Sequence, residues 1–178
     1  SESIDKYKRG QESINLSLEM INNISGSTTI FLMDAAGKVV SSSNWAEKNS
    51  LINKDFSSTP YFEQATQNIL GRYFTSLAGG EERYYFFARS IQFNKKVIGI
   101  VAVQVPLSDI VFNWTQADID FLVTDNNGVI FLSSTREWDL NVISNNDLSV
   151  VQNNKRYLSN KNLKRLNEEP IDLHYVVF

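Results

Sequence analysis

The chain has 178 residues, of which 42% are hydrophobic and 21% charged, and its formal net charge is −3. These values are typical of one or two globular domains; they exclude a disordered or collagen-like chain and give no globally basic surface for nucleic acid. Because there is no cysteine and a single histidine, His174, the composition also excludes a disulfide framework, a thiolate zinc site and a multi-histidine metal site.

The two ends of the sequence indicate a piece of a longer protein. The first residue is Ser1 rather than Met, no signal peptide follows it, and the chain stops at Phe178 inside an apolar run. No stretch approaches the roughly 20 apolar residues that cross a bilayer.

A helix is predicted over residues 4–25. Apolar residues recur there at spacings of four, three and three, and Gly26 follows as a stop signal; they are Ile14, Leu18, Ile21 and Ile24. Two interpretations stay open. The helix packs on its own domain, or it forms a dimer and continues upstream toward a membrane anchor.

The rest of the chain predicts strands with short connecting helices. Residues 29–43 form a hairpin about Asp34-Ala35-Ala36-Gly37, and residues 59–70 a short helix with Thr59 as N-cap. Three strands follow at 72–77, 83–93 and 96–105, with a turn at Asn94-Lys95. Further along we expect a connecting helix at 107–117, a second strand–turn–strand at 119–134, loops and short helices at 144–169, and a strand at 171–178.

An internal repeat relates the two hairpins at a constant offset of 91 residues. Asp34 matches Asp125, Gly37 matches Gly128, and the pair Ser42-Ser43 matches Ser133-Ser134. Any hairpin with an Asp-x-x-Gly turn would match in part, but the serine pair lies beyond the turn and keeps the register. The repeat therefore predicts two homologous modules in an α+β fold built on antiparallel sheets.

Catalytic chemistry has little support. No glycine-rich phosphate loop occurs, His174 lies in an alternating strand pattern that favours a solvent-facing side chain, and the acidic pairs Glu81-Glu82 and Glu168-Glu169 are typical of solvated loops. We expect no catalytic residue, no metal and no cofactor.

A small-molecule pocket is the better hypothesis, because residues 59–104 are dense in aromatic side chains with a few polar ones among them. On the central strand, Arg83 and Tyr85 share one face while Tyr84 and Phe86 share the other. An arginine there suits bidentate binding of a carboxylate. The alternative is that the aromatic residues form the core and Arg83 is exposed at the end of the strand.

The order of these segments resembles a known family, the periplasmic sensor domains of bacterial C4-dicarboxylate sensor histidine kinases of the DctB type. The resemblance covers nearly the whole chain and rests on these segments: Ser43-Asn44-Trp45, Asp55-Phe56-Ser57-Ser58-Thr59-Pro60-Tyr61-Phe62, Gly71-Arg72-Tyr73-Phe74, Arg83-Tyr84-Tyr85-Phe86-Phe87, residues 98–105, residues 122–125, residues 128–134 and Glu137-Trp138.

That resemblance implies a long N-terminal helix with tandem PAS-like modules, the double Cache or PDC arrangement. The expected divisions are a signalling and dimerisation helix at 1–26, a membrane-distal ligand-binding module at 27–106, a connecting helix at 107–118 and a truncated membrane-proximal module at 119–178. It further implies the periplasmic part of a bacterial inner-membrane receptor, a homodimer through the N-terminal helix, and a cytoplasmic histidine kinase outside this fragment, which itself is not an enzyme.

Three departures from the family pattern alter the expected ligand. Thr59 stands where the family has an arginine, Ala78-Gly79-Gly80 replaces a loop with Thr and Ser hydroxyls, and Gln104 replaces a lysine. Since charge-assisted hydrogen bonds contribute about 1.5–3 kcal/mol each, we expect weak succinate binding and a neutral, monoanionic or zwitterionic ligand, such as a carboxylate or an amino acid. The expected ligand-binding residues are Thr59, Tyr61, Tyr73, Gly79, Arg83, Tyr85 and Gln104.

A second hypothesis is a sensor without a small ligand, which binds a periplasmic protein or acts as a dimerisation spacer. A filled, dry core at Tyr61, Tyr85 and Gln104 would favour it.

Overall fold

The structure is a computed structural model that describes residues 2–76, 83–108, 121–125, 127–143 and 165. The chain divides into two compact units, Ser1–Leu107 and Ser108–Phe178. The predicted connecting helix beyond Ser108, the elements predicted over 144–178 and His174 lie outside the described residues, apart from Arg165, so the module boundaries stay predictions. Within the described part, no helix combines the length and the apolar character needed to cross a membrane.

The N-terminal helix, α1, spans Glu2–Ser25 and ends where predicted, at Gly26, which adopts a left-handed φ of 68°. The predicted packing face is only partly right. Leu18 is buried, but Ile14, Ile21 and Ile24 are 43%, 48% and 81% exposed. The side of α1 that meets the first unit is instead mainly polar, because side chains on that side bond to an edge strand.

A five-stranded antiparallel sheet forms the body of the first unit. Its strands are β1 (Thr29–Asp34), β2 (Val39–Ser42), β3 (Gly71–Ser76), β4 (Arg83–Phe93) and β5 (Lys96–Pro106), in the spatial order β2-β1-β5-β4-β3. The strand predictions are confirmed to within a residue at each end. Asn94 and Lys95 both adopt positive φ, as a tight hairpin turn requires.

A short helix, α2 (Pro60–Thr66), covers one face of this sheet. It is shorter than the predicted 59–70, because the chain leaves the helix at Gln67 and turns at Asn68, whose φ is 61°. Thr59 occupies the N-cap position, but its hydroxyl donates to the Phe56 carbonyl at 2.7 Å instead of capping the helix. The predicted N-cap position of Thr59 is therefore confirmed, but its side chain makes no capping bond.

The hydrophobic core lies between α2 and the sheet, on the side that we call the α2 face. Its buried members come from β1, β2, α2, β4 and β5: Phe31, Met33, Val39, Tyr61, Phe62, Ala65, Phe86, Ala88, Ile100 and Ala102. Helix and sheet approach so closely at β3 that a Cβ on Gly71 would collide with the Tyr61 carbonyl oxygen. A glycine is therefore required at this position.

The second unit contains an antiparallel hairpin of β6 (Leu122–Thr124) and β7 (Ile130–Ser133), followed by a 3-10 turn at Arg136–Trp138. Its pairing reproduces the first hairpin. Phe31 pairs with Ser42 as Leu122 pairs with Ser133, and the register shifts at the equivalent place in both. The predicted repeat of the hairpins is therefore confirmed.

The likeness extends to individual hydrogen bonds. The Oδ1 atoms of Asp34 and Asp125 each accept two backbone N–H groups across the turn. The Ser43 hydroxyl accepts the Ile30 N–H at 3.0 Å, and the Ser134 hydroxyl accepts the Phe121 N–H at the same distance. Beyond each hairpin, a return segment at 53–56 or 140–143 bonds back to the second strand and the turn. Equivalent residues are 91 apart in the hairpins but 87 apart in the return segments.

Candidate functional site

The register of the sheet assigns each strand residue to one of its two faces. Tyr73 pairs with Phe86, and Phe86 pairs with Gln104, so these three share one face. Phe86 belongs to the core beneath α2, and this face is therefore the α2 face. Arg83 and Tyr85 alternate with Phe86 along β4 and lie on the opposite, reverse face.

The predicted site residues consequently fall into two groups. Thr59, Tyr61, Tyr73 and Gln104 lie on the α2 side, whereas Arg83 and Tyr85 lie on the reverse face. Tyr85 contacts Phe87 there, with ring centroids 4.9 Å apart, and Phe87 is 40% exposed. Gly79 is outside the described residues. The structure does not bring Arg83 together with Tyr61, so the predicted set does not form one site.

The Tyr61 ring sits at the centre of an aromatic cluster. It stacks on Phe86 with centroids 5.0 Å apart and an interplanar angle of 4°, and it contacts Tyr73 at 6.3 Å and Phe56 at 6.2 Å. Tyr61 is only 2% exposed. The ring thus fills the core, as the alternative of structural aromatic residues predicted.

The Tyr61 hydroxyl behaves differently from its ring. It is buried and has no partner in hydrogen-bond geometry among the described residues. Burial raises the pKa of Tyr61 well above its ordinary value, and the neighbouring Thr59 hydroxyl offsets the rise only in part. The phenol is therefore a neutral donor at neutral pH. No described residue satisfies it in hydrogen-bond geometry.

The α2 face is electrically neutral in the described strands. β1, β3, β4 and β5 direct aromatic, aliphatic, hydroxyl and amide side chains to this face, and no described residue of theirs there is charged. The arginines Arg72, Arg83 and Arg89 all lie on the reverse face. Within the described part of the chain no cluster of acidic or histidine side chains could hold a metal ion.

Two aromatic residues of the site were not in the predicted set. Phe56 and Phe86 both contact the Tyr61 ring. The spacing of two residues between Tyr84, Phe86 and Ala88 indicated that they share one face of β4. Because β4 is aromatic on both faces, its pattern alone does not show which face α2 covers. For the chemistry of the site, the described side chains offer hydrogen bonding and aromatic contact to a small molecule.

No family model matches the chain. The C4-dicarboxylate transport sensor protein DctB of Pseudomonas aeruginosa is 33% identical over 128 residues, which cover 72% of this chain and 21% of that protein. DctB of Rhizobium meliloti is 22% identical over 125 residues, or 70% of this chain and 20% of the relative. The chain therefore spans about a fifth of the length of these curated relatives.

Solved structures share the fold. The sensor domain of the histidine kinase DctB of V. cholerae has a TM-score of 0.74 at 24% identity, covering 91% of this chain and 64% of that one. The Campylobacter jejuni chemoreceptor Tlp3 domain in complex with L-valine has a TM-score of 0.59 at 16% identity, with 80% and 59% covered. The Pseudomonas aeruginosa amino acid chemoreceptor PctC domain in complex with GABA has a TM-score of 0.55 at 16% identity, with 72% and 60% covered.

The fold and the sequence similarity agree. The α+β class, with a long N-terminal helix on an antiparallel sheet, is confirmed. The chain is therefore similar in sequence to the DctB sensor proteins and has the fold of a DctB sensor domain.

Proposed function

We propose that this chain is the extracytoplasmic part of a bacterial inner-membrane receptor and binds a small organic molecule on the α2 face of the first unit. The receptor carries its output, a histidine kinase, outside this fragment. Support for the proposal comes from the similarity to the DctB sensor proteins and from the fold that the chain shares with the V. cholerae DctB sensor domain.

The observation that carries the binding proposal is the buried hydroxyl of Tyr61, which has no hydrogen-bond partner in the part of the chain that the structure describes. A buried donor without an acceptor costs about 1–3 kcal/mol. An acceptor atom of a ligand near Thr59 would satisfy it and recover that cost. Gln104 and Tyr73 lie on the same face and supply further neutral hydrogen-bonding groups.

The neutral character of this face favours a ligand without two negative charges. No arginine of the described strands lies on it, and the resemblance places Thr59 and Gln104 where typical relatives have cations. The domains of Tlp3 and PctC share the fold in complex with L-valine and GABA. Amino-acid-like and monoanionic molecules are therefore the first ligands to test.

The test is a thermal-shift screen of this chain against succinate, malate, amino acids, monocarboxylates and small amides. A ligand at about 100 times its dissociation constant stabilises the folded state by about 2.7 kcal/mol. We expect a rise of several degrees with a zwitterion, monoanion or amide and none with succinate. A shift with succinate alone would contradict the argument from charge.

Paired variants then locate the site. Gln104→Ala on the α2 face should reduce the ligand-induced shift, whereas Arg83→Ala on the reverse face should leave it unchanged. The reverse result would move the site to the other side of the sheet, and no shift with any compound would favour a protein partner.

A protein-binding role has its own supporting observation, the exposed apolar side of α1. Leu16, Met20 and Ile24 are 52%, 60% and 81% exposed. They follow at spacings of four residues on one side of the helix. We propose that two copies of the receptor pair through this side, which we call the outer stripe.

A further inference from the structure

Helix α1 is attached to the first unit by hydrogen bonds from successive turns to strand β2 and the residues after it. Gln11, Asn15 and Glu19 recur at intervals of four residues, so they lie on one side of the helix. β2 is an edge strand, paired only with β1 in the sheet. We call these three residues of α1 the polar seam.

Each member of the polar seam has a definite partner. The Gln11 amide donates to the Val40 carbonyl, the Asn15 Oδ1 accepts the Ser42 N–H at 3.1 Å, and the Glu19 carboxylate accepts the Trp45 indole N–H at 3.0 Å. The partners advance along the chain from Val40 to Trp45 as the helix residues advance from Gln11 to Glu19. One rotation and one axial position of α1 therefore satisfy all three bonds together.

Asn15 is the buried member of the polar seam, with 4% of its surface exposed. If α1 turned about its axis, the Asn15 amide and the Ser42 N–H would lose their bond. Buried polar groups without partners are strongly unfavourable. Directional pairing of this kind is how a single buried asparagine fixes register between helices.

The outer stripe creates the opposite tendency. Ile24 lies about 180° round the helix from Asn15, and Leu16 and Met20 are on the exposed side with it. Burial of apolar surface alone would turn these residues toward the sheet. Instead, the polar seam, with Leu18 buried beside it, faces the sheet, and the outer stripe faces away.

We propose that the polar seam, with Asn15 at its centre, sets the rotation of α1 on the first unit and so keeps the outer stripe on the exposed side. The inference depends on α1, β2 and the residues that follow β2, and it does not require the ligand site proposed above. It makes Asn15 a positioning residue for the surface that α1 presents.

The absence of cysteine from the sequence allows a direct test by thiol labelling. Met20→Cys places a thiol on the outer stripe, and Leu18→Cys places one at a position that is 7% exposed. In the parent background Met20→Cys should react with a maleimide about tenfold faster than Leu18→Cys, or more, since buried positions react only through local opening. Labelling is compared at one dilution at which the chain is monomeric by light scattering.

When Asn15→Leu is added to each cysteine variant, the labelling rates of Met20→Cys and Leu18→Cys should become similar, because the helix either rotates or detaches. Asn15→Asp keeps the Oδ1 acceptor and should preserve the tenfold ratio. Ser17→Leu, the matched control on the exposed side, should preserve it too. A ratio that stays unchanged in folded Asn15→Leu overturns the proposal, and so does a ratio that Ser17→Leu abolishes equally. Should Asn15→Leu fail to fold, Gln11→Leu with Glu19→Leu provides the same comparison with the same criterion.

Discussion

The Tyr61 hydroxyl gives a sharp test of the α2 face, because its removal should stabilise the ligand-free domain. In Tyr61→Phe the ring keeps its stack on Phe86, 5.0 Å between centroids, and only the buried oxygen, to which no described residue bonds, is lost. An unsatisfied buried hydroxyl costs about 1–3 kcal/mol. We expect the free energy of unfolding to rise by about 1 kcal/mol, at the lower end because a small void replaces the oxygen.

The measurement is urea denaturation followed by circular dichroism, in which the midpoint should rise without a change in slope. For a chain of this length, 1 kcal/mol corresponds to roughly 2–4 °C in melting temperature. Tyr61→Leu, which removes the ring stack as well, should instead destabilise the domain by about 2 kcal/mol. If Tyr61→Phe lowered the free energy of unfolding by about 1 kcal/mol or more, the hydroxyl would have a partner, and the proposal built on it would fail.

The pH dependence of the same variant supplies a second readout. Burial raises the pKa of Tyr61 in the folded state above the ordinary value near 10. Below pH 10 the phenol is neutral in both states and contributes no slope. Above it the unfolded chain ionises first, so the free energy of unfolding falls as pH rises. Tyr61→Phe should show a smaller fall above pH 10 than the parent, and an equal fall would contradict the burial of the hydroxyl.

Four further outcomes follow from the structure. Gly37→Ala should lower the free energy of unfolding, measured by urea denaturation, by at least about 2 kcal/mol, because φ is 91° and the new Cβ would lie 2.6 Å from the Ser57 Cα. Gly10→Ala, which has open space around it in a helix, should raise the same free energy by about 1 kcal/mol. Equal effects of the two changes would refute the turn geometry. Thr59→Arg combined with Gln104→Lys should create a thermal shift with succinate that neither the parent nor Arg83→Lys shows. If the double variant shows no shift with succinate, the absence of positive charge on the α2 face does not explain weak succinate binding. Met20→Cys in the full-length receptor should give a disulfide-linked dimer on mild oxidation while Ser41→Cys, buried in β2, should not, and a monomeric Met20→Cys would count against pairing through the outer stripe. Asp125→Ala should lower stability by about 1 kcal/mol through loss of its two turn bonds and leave ligand-induced shifts intact; a lost shift would place the binding site in the second unit.

Local features of this fold were predictable from the sequence. The Asp-x-x-Gly turns, the Asn94-Lys95 turn and the end of α1 at Gly26 each depend on a few neighbouring residues, and the structure places them as expected. The repeat was visible for the same reason, because Asp34 and Ser43 have equivalents that make the same bonds.

Two features depended on contacts between distant segments and were not predictable. β4 carries aromatic residues on both faces, and only the position of α2 determines that Phe86, and not Tyr85, is covered. The orientation of α1 follows from Asn15 meeting the backbone of β2, 27 residues away in sequence, while its apolar periodicity by itself indicated burial of Ile21 and Ile24.

The sequence offset between equivalent residues of the two copies is 91 in the hairpins and 87 in the return segments. The hairpin and the return segment are therefore constrained, whereas the length of the segment between them can vary. Hairpin and return segment keep their bonds in both copies, although four residues are missing between them in the second. Asn53 and Leu140 even share the same left-handed backbone at the start of the return segment, with φ of 68° and 64°. Within the segment between Ser43 and Asn53, the exposed residues 46–49 are therefore the natural insertion point of the module. A fluorescent tag or an affinity epitope grafted there should leave the sheet intact, and this would provide a reporter next to helix α1.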